Sequence, residues 1–397
     1  FAAEKGIEYV ILDEGWAVNK KADLFQVVPE IDLPELVAYG KERGVGIVLW
    51  AGFYATERDL ERVCKHYSEM GIKGFKVDFL DRDDQKIADF TYRLAETAAK
   101  YRLFLDMHGY HKPAGIQRTY PNVLNFEGVF GLEQMKWTSE KTDMVTYDVT
   151  IPFIRMLAGP MDYTPGIFVM DVAEVNPGNH SHVNATLANQ LALYVTMYSP
   201  LQMAADLPEH YEKYMDAFRF IEDVALDWEE SRYLLAEPGD YIVVARKAKD
   251  TGEWFVGGVT DENRRTVTLP FDYLDPGKEY VATLYADAPD ADYQTNPQAY
   301  VIRTGKVRQR TELDVEMARG GGFAISIREA TDADRKLCNN GKCRADGNHA
   351  GAHTAPSKNP LPLVLFKNRG FFMRIFKTQK FAPILLTPNH LRPQIQD

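Results

Sequence analysis

Cysteine is scarce, with 3 in 397 residues. A disulfide framework therefore cannot organise the fold, and the core must come from packing. Cys64 falls on a helical apolar stripe and reads as a buried thiol. Cys338 and Cys343 stand close together, but no histidine lies at metal-ligand spacing beside them, so zinc is not expected. Apolar runs of about 18 residues are missing, so no helix is expected to span a membrane. No glycine-rich phosphate loop follows a strand-like segment, which weakens a doubly wound open sheet as the fold. No leader is visible either; Phe1 to Lys5 reads as the interior of a helix. Positive charge is also short: the net charge of −11 argues against nucleic acid as a partner.

What is present suits an ordinary globular protein, at 45% apolar and 26% charged residues. Aromatics reach 12%, with 5 Trp and 21 Tyr. Sugar-binding clefts use such rings, but so do plain cores. The length suits one large domain and a smaller one. The first two-thirds alternates strand-like and helix-like segments. Strands are read at Glu8 to Leu12, Val45 to Trp50, Ile72 to Phe79, Leu103 to Met107 and Val123 to Phe126. Helices lie between them, one capped by Asp32 with Glu35 three residues on, one by Thr56, and one from Asp83 to Tyr101. Such alternation signals βαβ units and a parallel sheet. Asp13, Trp50, Asp78, His108, Glu127 and Glu133 all follow strand C-terminal ends, the face that holds the active site in a (β/α)8 barrel.

Near Trp228 the period changes to two, and Gly239 to Ile327 reads as a small all-β sandwich. Beyond about Thr331 the composition turns basic. From Arg335 to Asp397 there are 11 Lys/Arg against 2 Asp/Glu, leaving 35 against 55 in the acidic body. This segment reads as a disordered or non-native tail in preference to a membrane- or partner-binding one. The expected units are thus a partial (β/α)8 barrel over 1–230, a C-terminal β-sandwich over 231–330 and the tail over 331–397.

Hydrolysing a glycosidic bond takes two carboxyl groups. Asp78 ends an apolar strand in Lys76-Val77-Asp78-Phe79, and Lys76 points the same way. A structural Lys–Asp ion pair is the plainer reading; strand-end carboxylates in barrels favour a functional one. Glu127 and Glu133 lie in Glu127-Gly128-Val129-Phe130-Gly131-Leu132-Glu133. They suit a solvated loop, a catalytic group or a Ca2+ site, since carboxylate oxygens match a hard cation.

The stretch from Gly6 to Asp206 resembles glycoside hydrolase family 97, a bacterial α-glycosidase family of the α-galactosidase-like barrel group. The resemblance rests on Glu8 through Trp16, Gly71 through Phe79, Arg118-Thr119-Tyr120-Pro121-Asn122, Glu127-Gly128, Gly159 through Gly166 and Ser199 through Met203. It implies an N-terminal β-super-sandwich, a (β/α)8 barrel and a C-terminal β-domain. This sequence matches the last two, so one barrel strand and an N-terminal calcium ligand are expected to be missing, leaving an open sheet edge.

The resemblance also implies roles. Retaining members carry a nucleophile at the position of Asp78, and inverting members a base Glu after the next strand. Here that strand ends Asp106-Met107-His108-Gly109 with no Glu, so the retaining, α-galactosidase-like branch is implied. Glu133 matches the general acid/base, and Glu127 a calcium ligand, with Glu133 reaching the same ion. Lys76 is expected to hold Asp78 ionised, and Glu133 to hold a proton. Asp13, Glu14, Trp16, Trp50, Lys76, His108 and Arg118 are expected to meet the substrate. Asp162 reads as structural or pocket-lining, and His180 and His182 as a polar loop. A monomer acting on an oligosaccharide or glycoside in the periplasm is implied. An α-glucosidase of the same family and a non-catalytic carbohydrate-binding barrel are the alternatives.

Overall fold

The computed structural model describes residues 1–18, 22–138, 141–174, 178 and 181–334, and the backbone of 373–378. Five parallel strands pair in sequence: β1 (Tyr9–Leu12), β2 (Gly46–Gly52), β3 (Gly74–Asp78), β4 (Phe104–Met107) and β5 (Val123–Phe126). They lie within a residue or two of the expected segments. β6 (Leu201–Ala204) is separated from β5 by an irregular segment. That segment completes the wall with backbone bonds, Asp162 N–H donating to Phe126 C=O at 2.8 Å and Ala205 N–H to Pro165 C=O at 3.2 Å. The result is an incomplete (β/α)8 barrel.

Helices α1 (Leu33–Glu42), α2 (Phe53–Met70) and α3 (Gln85–Lys100) follow β1, β2 and β3. Asp32 caps α1 by accepting the Glu35 N–H, as expected. Thr56 does not cap α2. The helix starts at Phe53, and the Thr56 hydroxyl donates back to Gly52 C=O at 2.9 Å, the i−4 bond open to a hydroxyl inside a helix. On α3 the buried face is Ile87, Phe90, Thr91, Leu94, Ala95 and Ala98, the spacing of one helical stripe. Cys64 is buried, as expected.

Strand register sets the barrel interior. Trp50, Lys76, Asp106 and Asn125 are successive cross-strand partners, and all four are buried. This polar row lies just below the strand ends, and Asp78 and His108 stand one step above it.

The C-terminal domain holds a six-stranded antiparallel sheet. Its strands are β7 (Trp228–Glu237), β8 (Tyr241–Ala248), β9 (Trp254–Thr260), β11 (Tyr280–Asp287), β12 (Tyr300–Val307) and β14 (Gly322–Glu329). β10 (Arg265–Pro270) pairs with β13 (Glu312–Met317) as a second sheet. Helix α4 (Leu187–Thr196) is buried at every residue and joins the two domains. Gly257 on β9 meets it so closely that a Cβ would lie 2.5 Å from Ala192 O.

Strand β15 (Met373–Thr378) pairs antiparallel with β1 on one side and β6 on the other, where an open edge is expected from the sequence. Apart from residues 331–334, the rest of the expected tail, with Cys338 and Cys343, lies outside the described residues, as does His180. His182 pairs with Asp171 in an isolated bridge.

Candidate active site

β3 delivers Asp78 to the top of the barrel. The Trp50 indole N–H donates to Asp78 Oδ2 at 2.9 Å, and the Phe79 backbone N–H to Oδ1 at 2.7 Å. Phe79 reaches that geometry at φ +63°, a strained backbone for an aromatic residue. Both carboxylate oxygens are thereby oriented. Gly109, after β4, stands against the same group. At φ +50°, a Cβ there would lie 2.7 Å from Asp81 Oδ1 and 3.2 Å from Asp78 Oδ1.

Lys76 does not pair with Asp78. Its ammonium lies 3.1 and 3.3 Å from the two oxygens of Asp13, at the end of β1, with the lysine side chain 2% exposed. The Lys–Asp ion pair read from the sequence as Lys76–Asp78 is therefore Lys76–Asp13. Glu14 beside it has its carboxyl pKa raised by burial and by the charges of Asp13 and Asp78, against the pull of Lys76.

Trp16 is also reassigned. It is fully buried, donates its indole N–H to Trp50 C=O at 2.8 Å and packs edge-on against Tyr67. It supports Trp50 from behind and presents no face to a sugar. Trp50 is buried too, and reaches the site through its N–H. A cleft of ≈ 230 Å³ lies beside Trp50 and Phe79, with Glu14, Phe53 and Tyr54 in its lining. Neither Asp78 nor Glu133 is among the lining residues, so this cleft adjoins the site without containing its two carboxylates.

His108 is buried between carboxylates. Nε2 lies 2.5 Å from Asp162 Oδ2 and 3.4 Å from Asp106 Oδ2, and Nδ1 lies 3.7 Å from Glu127 Oε2. Burial and the Lys76 charge push the imidazole towards neutrality, but Asp106 and Asp162 outweigh them and hold it protonated. The 3.4 Å approach to Asp106 is a charge contact, since both Asp106 oxygens lack a hydrogen bond. Asp162 has its carboxyl pKa raised, first by burial and then by Asp106.

Glu127 leaves the end of β5 and accepts the Gly109 N–H on Oε2 at 2.8 Å. Burial, Asp78 and Asp162 raise its carboxyl pKa against His108 and that N–H. Glu133 lies one short loop further on, 3.1 Å from the Lys136 ammonium. Ligand atoms of His108, Glu127 and Glu133 lie within 4.8 Å of one another. The two glutamates supply hard oxygen ligands that suit Ca2+. His108 is the third candidate ligand, through one imidazole nitrogen.

Arg118 is exposed on a short outer helix, Ile116–Thr119, and is not brought to the site. The arginine that reaches these loops is Arg155, which the sequence reading did not single out. Its signal was available, as a lone cation inside the apolar run Ile151 to Ala158. Asp106 likewise interrupts an apolar strand two residues before His108, on the same face.

A parallel barrel with carboxylates gathered over its strand ends is the architecture of a glycoside hydrolase. Residues 1–129 match the family model of glycoside hydrolase 97, and residues 227–328 match that of the glycosyl-hydrolase 97 C-terminal, oligomerisation domain. The chain belongs to glycoside hydrolase family 97. Asp78 and Glu127 fall inside the first match and Glu133 just beyond it. A retaining α-galactosidase of Bacteroides thetaiotaomicron is 51% identical over 83% of this chain and 49% of its own length. A probable retaining α-galactosidase of Streptomyces bingchenggensis is 32% identical over 82% of this chain and 48% of its own. This chain therefore spans about half the length of these relatives. A family 97 enzyme of Pseudoalteromonas sp. strain K8, solved in complex with panose, superposes with TM-score 0.76 at 32% identity, over 83% of this chain and 55% of that one.

Proposed function

We propose that this protein is a retaining, exo-acting α-galactosidase that removes terminal α-galactosyl residues from oligosaccharides by double displacement. The observation that carries the reading is Asp78, set at a barrel strand end with both oxygens oriented by N–H donors. The 51% identity to a retaining α-galactosidase supports the sugar. In the first step an Asp78 oxygen bonds to the anomeric carbon while the bond to the leaving oxygen breaks, and Glu133 gives that oxygen its proton. In the second, Glu133 takes a proton from water, the water oxygen bonds to the anomeric carbon, and the Asp78 ester is released. Asp13, Glu14 and Lys76 hold sugar hydroxyls at the rim. Trp50 and Phe79 keep the nucleophile aimed.

Calcium fits the two glutamates, and Glu127 and Glu133 would hold it. When bound, it would supply an electrostatic anchor for substrate hydroxyls. A monomer in the periplasm remains the proposal made from the sequence. The oligomerisation description of the C-terminal family model bears against the monomer, and sedimentation velocity tests it.

An α-glucosidase reading keeps the same mechanism and draws on the panose complex of the Pseudoalteromonas enzyme. Hydrolysis of p-nitrophenyl α-galactoside beside the α-glucoside separates the two. Faster turnover of the galactoside is expected. Turnover of the glucoside alone would overturn the galactosidase assignment while leaving the mechanism.

A further inference from the structure

We infer that Arg155 is a positioning residue that fixes the spacing between Glu127 and Glu133. The inference rests on their reading as metal ligand and acid/base. Arg155 is 7% exposed and makes no ion pair among the described residues. Its guanidinium is instead ringed by five carbonyl oxygens. Nε donates to Gly128 at 2.8 Å and Nη1 to Gly159 at 3.2 Å. Nη2 faces Phe126 at 3.2 Å, Glu127 at 2.9 Å and Pro160 at 3.0 Å. Burial without a counter-ion pushes the guanidinium pKa down to about 10. A buried cation held only by backbone dipoles is costly, so a core of this kind would be better packed by an apolar side chain unless the geometry is used.

The five carbonyls belong to two chain segments. One is the end of β5, which carries Glu127. The other is Gly159 to Tyr163, which carries Asp162. The clamp joins them at Phe126 C=O, which also accepts the Asp162 N–H. Each carboxylate then hangs from the joined unit. Glu127 is held at both ends, its carbonyl by Arg155 and its carboxylate by the Gly109 N–H. Glu133 follows Leu132, whose N–H donates to Tyr163 C=O at 3.1 Å on the second segment. The turn between Glu127 and Val129 is tightly packed. Gly128 sits at φ +46°, and a Cβ there would lie 2.8 Å from the backbone of His111 and Lys112. Moving one segment relative to the other therefore changes the distance between the two glutamates, and Arg155 is what holds the segments together.

Only a planar guanidinium reaches five carbonyls at once; an ammonium is a point charge with three donors. The test is Arg155→Lys in the purified protein, with Arg246→Lys as control. Arg246 is also buried and donates to a carbonyl, Val195, at 2.7 Å, but on the C-terminal domain. Both variants are expected to melt a few degrees lower. Only Arg155→Lys should lower kcat on p-nitrophenyl α-galactoside, by about 100-fold with KM nearly unchanged, the penalty of a misplacement near 1 Å. It should also weaken Ca2+ binding by about 10-fold or more in calorimetric titration, as loss of a supporting contact does. Equal melting losses with kcat and Ca2+ affinity both unchanged in Arg155→Lys would overturn the inference. If the parent protein binds no Ca2+, the calcium reading falls and kcat alone judges Arg155. If the parent lacks activity, the Ca2+ titration judges it.

Discussion

Replacing Lys76 with methionine removes the cation that meets Asp13 at the barrel rim. The lysine side chain is 2% exposed and that of Asp13 13%. Breaking such a pair from one side removes the cation opposite a largely buried carboxylate, at a cost of about 3–5 kcal/mol, although the Glu14 N–H still donates to Asp13 Oδ1 at 3.1 Å. Some water reaches Asp13, so a loss near ~3 kcal/mol is expected for Lys76→Met. Asp13→Asn should cost less, because Lys76 has a second anion within its strand row. Asp106 is its cross-strand partner, and both Asp106 oxygens lack a hydrogen bond. The freed ammonium can turn to it, leaving a loss of about 1–2 kcal/mol. Adding Asp13→Asn to Lys76→Met removes the carboxylate charge that Lys76 offsets and should recover stability. At roughly 2 °C per kcal/mol for a chain of this size, Tm should fall about 6 °C, about 3 °C, and in the double variant less than in Lys76→Met alone. Differential scanning calorimetry at neutral pH reads all three. Additive losses in the double variant would refute the reasoning, since independent sites add and a charge pair does not.

Other outcomes follow from single contacts. Gly109→Ala puts a Cβ at φ +50° and 3.1 Å from the Phe79 amide, so it should cost about 1–2 kcal/mol and lower kcat about 100-fold by shifting Asp78, read by melting and steady-state kinetics. Asp148 is fully buried, and burial raises its carboxyl pKa from 3.8 to about 7 while Tyr163 donates to it. A raised carboxyl loses stability as pH climbs above the unfolded value, and the loss is complete above about 7. Asp148→Asn keeps the acceptor and removes the charge, so it should raise Tm at pH 8 by an amount equivalent to up to ~4 kcal/mol and change it far less at pH 4. A pH-independent effect would contradict this. Chelation should lower activity reversibly, with Ca2+ restoring it, and Glu127→Gln should raise the Ca2+ needed by about 10-fold or more; activity indifferent to chelator and ion would remove the metal from the account.

The parallel sheet was legible because buried strands read as short apolar runs ending in polar residues, and five of them survive within a residue or two. Asp78 drew notice because a carboxylate at a barrel strand end has few structural uses, whereas Glu127 and Glu133 lie in a glycine-flanked loop and took their roles from the family resemblance. Partners were not. Lys76 and Asp78 share a strand face, yet Lys76 turns across the barrel to Asp13, a choice set by register between strands far apart in sequence. Trp16 was expected to meet the substrate; its burial comes from the packing of Tyr67 on α2. Arg118 and Arg155 could not be ranked by neighbours alone, since one sits on an outer turn and the other beneath a loop only when the chain has folded.

The most direct test of the central claim is azide rescue of Asp78→Ala on p-nitrophenyl α-galactoside. Removing the nucleophile should abolish turnover, and azide should restore it by entering the vacated space on the β face. The account predicts β-galactosyl azide as the product. No rescue, or an α-linked azide, with the variant folded and binding substrate, would contradict Asp78 as the nucleophile of a retaining α-galactosidase.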